Sequence, residues 1–355
     1  MAMTSRERVL LALEHKEADR VAIHDSPWAT TIARWRKEGL PEDVSPAEYF
    51  GFEFAGQGFN NTARFPAEVI EETEEYRIVK NADGAIRKDW KNRTSTPELL
   101  GFTLSTRRAW EEHRERFAWS DDRVDWDNAL ARNRELRESG KFVTFSTAFG
   151  YDRMAMVVGP ENLLMAMVED PEWVYDVLGT SIDICIAALE EMTGRGFEFD
   201  GCYVCDDLGY KHRPFFSPAI YRELLFPHHK RFCDAAHALG LKVILHSCGN
   251  VNQHVPALIE AGFDCLQPLE VKAGMDLLQL KRDYGDVWAF MGGIDVRAMA
   301  HPDPKVIEEE IRTKIPVAMK GGGYIFHSDH SVPDNVSFEQ YKRVIELVHQ
   351  YGTYR

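Results

Sequence analysis

From residue 141 onward the chain alternates between short apolar runs and longer stretches with helical spacing. The runs are residues 142–147, 200–205, 242–246, 264–268, 287–291 and 324–327. Between them, residues 172–192, 218–239, 252–261, 277–283 and 305–318 repeat apolar positions three and four apart, and residues 337–351 close the chain in the same way. Strands and helices alternating over short connections build a parallel sheet. With one or two strands nearer the N-terminus, such as residues 20–25, the rhythm predicts an α/β fold, a (β/α)8 TIM barrel. A doubly wound sheet is the alternative, but no G-x-G-x-x-G follows the first strand, which disfavours a dinucleotide-binding domain. Residues 5–14 read as an amphipathic helix capped by Ser5, with Val9, Leu10 and Leu13 on one side. Residues 75–79 and 86–90 flank Asn81-Ala82-Asp83-Gly84, and the Asp-Gly pair predicts an antiparallel hairpin. That N-terminal β-hairpin insertion spans about 65–105 and covers one end of a unit running over 1–355; residues 106–140 are helical and charged.

The net charge of −15 repels polyanions, so binding to nucleic acid or to an anionic membrane is disfavoured. No apolar stretch approaches the roughly 20 residues of a membrane span, and the charged start lacks a signal-peptide core, so a cytoplasmic location is expected. The six cysteines then read as thiols rather than bridges. Cys202 and Cys205 form a C-x-x-C, but inside a strand residues three apart face opposite sides. Two buried strand cysteines are the plainer reading.

In an α/β barrel the chemistry sits at the C-terminal ends of the strands, so the residues just beyond each run matter most. Phe149, Gly150 and Tyr151 come after the first. Asp206, Asp207, Tyr210 and His212 come after the second, and His246, Cys248 and Asn250 after the third. Gln267 and Glu270 are next, then Gly292, Gly293 and Asp295, and last His327, Asp329 and His330. Nearly every strand end carries an ionisable or metal-capable group, which points to catalysis. His246 and Cys248, two apart at a strand end, face the same way and suit zinc. Asp329, His327, His330 or Glu270 would supply a third ligand; alternatively His246 binds substrate and Cys248 packs. Asp206 and Asp207 can split their pKa values into an acid and a base, or one can cap a helix. The expected catalytic group set is Asp206, Asp207, Glu270, Asp295 and His330, with Asp206, His246, Cys248, Glu270, Asp295, Asp329 and His330 converging in one cavity. Trp28, Phe149, Tyr151, Tyr210 and Phe215 suggest an aromatic-lined substrate pocket, with Gln267 and His327 as further substrate contacts. His228 and His229, inside a helix, read as structural or solvated.

These residues resemble the uroporphyrinogen decarboxylase superfamily over nearly the whole chain. The resemblance rests on Ser5-Arg6-Glu7-Arg8-Val9, on His15 to Val21, and on Asp206-Asp207-Leu208-Gly209 and Ser217-Pro218 with Tyr221. It extends through His246-Ser247-Cys248-Gly249-Asn250, Gln267-Pro268-Leu269-Glu270, Met291-Gly292-Gly293-Ile294-Asp295 and the stretch after Asp329. The tetrapyrrole decarboxylases of that superfamily hold substrate carboxylates with an Arg-Gln-Ala-Gly-Arg stretch. Here Asp25-Ser26-Pro27-Trp28-Ala29-Thr30 stands instead, with Arg34 and Arg36 in a helix-like segment. The corrinoid methyltransferases carry His-x-Cys, matched by His246 and Cys248, and a third cysteine where this chain has Asp329. The resemblance therefore implies a zinc-dependent methyltransferase whose metal is held by His246, Cys248 and Asp329 or His330. It would move a methyl group between a small O- or S-methyl compound or thiol and a corrinoid carried by a partner protein. It also implies a possible homodimer. A metal-free decarboxylase of a carboxylated substrate and a noncatalytic tetrapyrrole- or corrinoid-binding protein are the alternatives.

Overall fold

The computed structural model describes residues 3–91 and 97–354; residues 92–96, inside the expected insertion, lie outside the described residues. The strands are β1 (Ala22–Ile23), β2 (Phe54–Gln57), β3 (Glu68–Glu72), β4 (Tyr76–Lys80), β5 (Ala85–Trp90), β6 (Glu98–Phe102), β7 (Phe142–Ala148), β8 (Gly201–Cys205), β9 (Lys242–His246), β10 (Cys265–Gln267), β11 (Ala289–Met291) and β12 (Tyr324–Phe326). Eight form one parallel sheet in the order β1-β12-β11-β10-β9-β8-β7-β2. The ends meet where the Glu53 N–H donates to the Ile23 carbonyl at 2.9 Å. The curled sheet with its helices is the expected TIM-barrel-like fold.

The insertion is larger than one hairpin. β3, β4, β5 and β6 make a four-stranded antiparallel sheet. β3 (EVIEE) is exposed along its whole length and has no apolar alternation, so the periodicity that marks a half-buried strand is absent there. β2 (FAGQ) also escaped the pattern, being four residues long with a glycine inside.

The barrel interior follows the period of two. Ala22, Phe54, Phe142, Tyr203, Ile244, Cys265, Ala289, Met291 and Ile325 pack together, with Val9, Ala12 and Leu13 of the helix Ser5–Leu13. That helix caps the lower end of the barrel. Its N-cap is Thr4 rather than Ser5: Thr4 and Glu7 form a reciprocal capping box. Its Arg8 is buried and holds Asp19 through two hydrogen bonds of 2.7 and 2.8 Å, and also pairs with Glu53. Glu53 in turn accepts from the Ile23 N–H and from Arg20. The N-terminal motif therefore closes the barrel seam, far from the strand ends that carry the chemistry.

The helical stretch expected at 218–239 is continuous but changes pitch. A wide turn at Tyr221–Leu225 precedes the helix Phe226–Ala238, and this places Tyr221 and His229 behind Asp206, just past the C-terminal end of β8. No helix among the described residues is long and apolar enough to cross a membrane.

Candidate functional site

Two residues beyond the apolar layer, the inward positions become polar. His24 after β1, Cys205 and His246 at the ends of β8 and β9, Gln267 at the end of β10 and His327 after β12 form the upper layer. They are linked. The His246 ring nitrogen Nδ1 donates to Gln267 Oε1 in a short contact, and Tyr203 donates its hydroxyl to the same oxygen at 2.7 Å. Gln267 Nε2 lies 3.3 Å from the His327 ring. With Nδ1 engaged, His246 Nε2 is left facing the mouth. There it sits 3.4 Å from Cys248 Sγ and 3.5 Å from Asp207 Oδ1. The Cys248 N–H donates to Asp207 at 2.7 Å, and Leu208 N–H donates to Ser247 Oγ at 3.0 Å, which bolts the two loops together. Gly209 and Gly249 touch backbone to backbone: a Cβ on Gly249 would stand 2.3 Å from the Gly209 carbonyl carbon. Only glycine permits that approach.

Asp206 and Asp207 divide as the strand geometry requires. Asp207 faces the mouth. Asp206 is fully buried: it accepts from the Asp152 N–H at 2.7 Å and contacts His229 Nε2 at 2.9 Å, and His229 Nδ1 meets the Tyr221 hydroxyl at 3.1 Å. Burial holds the Asp206 carboxyl far above its ordinary range. Its expected catalytic place passes to a scaffold one, because the side chain turns away from the mouth into the β8–helix layer. Gly150 makes this possible: at φ +63° it runs so close that a Cβ would lie 2.1 Å from Asp206 Oδ2. His229 is structural, as expected, and is not solvated.

The remaining expected residues separate. Gln267, His246, Cys248 and Asp207 are joined through the contacts above, and Glu270 adjoins them by accepting the Gly249 N–H at 2.7 Å while pairing with Lys272. His330 sits at the rim, its ring stacked on Trp28 at 6.2 Å. Tyr210 is half exposed, and Tyr151, largely buried, contacts Phe215 and Phe216. Phe149 is fully buried, stacked on His229, and lies in the core instead of a substrate wall. Asp295 caps the helix Val296–Met299 and is chelated by Arg297, on a groove of the helical layer with His301 and Glu310. It lies outside the His246 cluster. Asp329 is buried, and both its oxygens are taken: Val271 N–H and Val296 N–H each donate at 2.9 Å. It ties the loops after β10 and β11 together, so the expected ligand set of His246, Cys248 and Asp329 is not assembled.

Two mouth residues escaped the sequence pattern. Cys205 does face away from Cys202, which is fully buried, but the side it faces is the barrel interior. A ligand atom of Cys205, of Asp207 and of His246 all lie within 4.8 Å of one another. The alternation that separated the two cysteines could have shown this, since Cys205 shares its face with Asp207. Asp152, which no pattern marks, is pushed up to about 7 by burial and then by the charges of Asp207 and Asp206.

Burial, reinforced by Asp207, also pushes the Cys205 and Cys248 thiols upward. The mouth thus gathers acidic groups, and the cation beside them, Lys272, is engaged by Glu270. Thiolate, imidazole and carboxylate donors of this kind fit a Zn2+ ion, which would supply positive charge and deprotonate the thiols.

The buried histidines set an acid limit. Burial lowers His24 and His229 to about 3 each, His327 adding to the effect at His24. Unfolded, both would take a proton near pH 6.5; folded, only near 3. At these two groups the unfolded state binds more protons across that window, so their contribution to stability falls as pH drops from 6.5 towards 3, while the raised carboxyls of Asp152 and Asp206 act in the opposite sense. A His24→Gln variant, which lacks one of these groups, should therefore lose less Tm than the wild type between pH 7 and 4.5; parallel profiles would contradict the assignment.

Comparison with known proteins gives the family. The family profile described as Uroporphyrinogen decarboxylase (URO-D) matches residues 145–351, more than half of the chain. A relative from Bacillus cereus (strain AH820), named uroporphyrinogen decarboxylase, is 29% identical over 137 residues, which is 38% of this chain and 37% of that protein. One of the same name from Bacillus mycoides (strain KBAB4) is 30% identical over 138 residues, with the same shares. The chain therefore matches little more than a third of the length of these curated relatives. Among solved structures, a methyltransferase from Methanosarcina mazei superposes with a TM-score of 0.69 at 16% identity, covering 98% of this chain and 99% of that one. This likeness is one of fold.

Proposed function

The chain belongs to the uroporphyrinogen decarboxylase family, and on that footing we propose that it is a zinc-dependent methyltransferase. It would move a methyl group between a small O- or S-methyl compound or thiol and the corrinoid of a partner protein. One observation carries the reading: Cys248 Sγ and the Asp207 carboxylate converge on His246 Nε2 at the mouth, 3.4 and 3.5 Å from that imidazole nitrogen. A decarboxylase must instead grip several carboxylates, for which paired arginines are suited. Here Arg297 is engaged by Asp295, and Arg34 by Glu38 and the Asp334 carbonyl.

His246 and Cys248 would hold the metal. When bound, it would act as a Lewis acid that stabilises the anion left on oxygen or sulfur as the methyl departs, or lowers the pKa of an attacking thiol. The methyl moves as a cation equivalent, and the electron pair of the broken bond stays on the heteroatom. Gln267 fixes the tautomer of His246 and keeps its Nε2 lone pair on the mouth side. Asp152, with a carboxyl near neutrality, is suited to carry the proton that the heteroatom gains or loses. Trp28 and His330 form a flat wall at the rim that suits a small apolar or aromatic group.

The test is methyl transfer between free cobalamin and a panel of thiols and methyl ethers. It is run on the purified protein, on protein stripped with a chelator, and after Zn2+ is restored. Activity lost on stripping and regained with zinc is expected. Full activity without metal, or release of carbon dioxide from uroporphyrinogen, would replace this reading with the decarboxylase one.

A further inference from the structure

We propose that the metal site of this chain is built by two neighbouring strands, with Cys205, Asp207, His246 and Cys248 as its donors and Asp329 outside it. This deepens the metal-dependent reading above and rests on it.

The argument is one of register. β8 and β9 are parallel, and Cys205 and His246 are direct partners across them. Asp207 and Cys248 each lie two residues further on, so all four stand on the same face as the corners of one patch. Neighbouring strands are about 4.8 Å apart, which sets the scale of that patch. The observed spacings agree with it. Cys205, Asp207 and His246 present ligand atoms within 4.8 Å of one another, and Cys248 Sγ is 3.4 Å from His246 Nε2. Zinc bonds of about 2.0–2.3 Å place tetrahedral donors roughly 3.5 Å apart, so closing the set needs small side-chain adjustments only. The supports are already in place: Gln267 orients His246, the Cys248 N–H holds Asp207, and the glycine contact locks the two loops.

Asp329 offers the opposite case. It follows β12, three strands from β9 in the sheet order, and its two oxygens serve the Val271 and Val296 amides. Those two amides fix the carboxylate between the loops after β10 and β11, and turning it towards a metal at His246 would weaken the hydrogen bond of at least one buried N–H. β8 therefore supplies what the last strand does not.

Cobalt(II) titration of the whole protein tests this without any turnover. Thiolate-to-cobalt charge-transfer absorption scales with the number of bound cysteines, and the visible bands report four-coordination. One ion per chain is expected, with two-thiolate intensity. Cys205→Ser and Cys248→Ser should each lose about half of that absorption and bind at least tenfold more weakly, the lower end of what even an outer partner of a ligand costs, about 10–100-fold. Asp207→Asn keeps the oxygen that accepts from Cys248, so it preserves the loop. It should weaken binding by a similar factor with the thiolate band intact. Asp329→Asn should leave the band unchanged. If Cys205→Ser retains full intensity and affinity, or Asp329→Asn loses the ion as Cys248→Ser does, the two-strand site is overturned while a metal enzyme remains. A wild-type protein that takes up no cobalt or zinc overturns both.

Discussion

Replacing Cys248 by alanine is expected to empty the metal site and to lower methyl transfer by about 10²–10³-fold, the loss of some 3–4 kcal/mol of Lewis-acid stabilisation. Folding should survive. The side chain lies at a loop end, only half buried, and its main-chain N–H, which holds Asp207, is untouched. Metal analysis, turnover and thermal unfolding of the metal-free forms, taken together, check this. His330→Ala is the contrast. Its ring is at the rim against Trp28, so the metal should stay and the damage should appear in KM. A Cys248→Ala protein that keeps its metal and its rate would remove the donor cluster from the chemistry.

Asp206→Ala is expected to act on the fold instead, lowering the unfolding free energy by about 2–5 kcal/mol, some 1–3 kcal/mol for each buried hydrogen-bonding group left without its partner. It strands the Asp152 N–H and a fully buried His229 and leaves a void beneath the Gly150 turn. Asp206→Asn retains an acceptor for Asp152 and should lose only about 1 kcal/mol. Denaturant unfolding of the two variants decides. An Asp206→Ala protein of undiminished stability but no activity would return Asp206 to the reacting groups.

The contrast between Asp206 and Asp207 shows how far local pattern reaches. Reading them as neighbours on opposite faces was possible from the chain alone; deciding which one faced the mouth was not. Strand β9 was legible to the residue because its apolar run is bounded by Gly240 and by the polar His246. β2 was not, because four residues with a glycine carry too little alternation. The acid at Asp152 left no trace in the sequence. It matters only because the turn at Gly150 carries it under Asp206 and beside Asp207, a contact between segments more than fifty positions apart.

What the chain determined by itself is the set of strand ends from β7 to β12 and the faces of residues two apart on each: His246 with Cys248, Tyr203 with Cys205. These are consequences of backbone geometry within one strand, and they hold wherever the strand is placed. What only the tertiary structure decided is which ends become neighbours and which polar groups are already engaged. Register puts Cys205 beside His246. Two loop amides, at Val271 and Val296, take both oxygens of Asp329. Pairing between strands and the satisfaction of buried N–H groups are set by parts of the chain distant in sequence, so no local spacing could reveal that a residue in the place of a ligand would be held by the backbone instead.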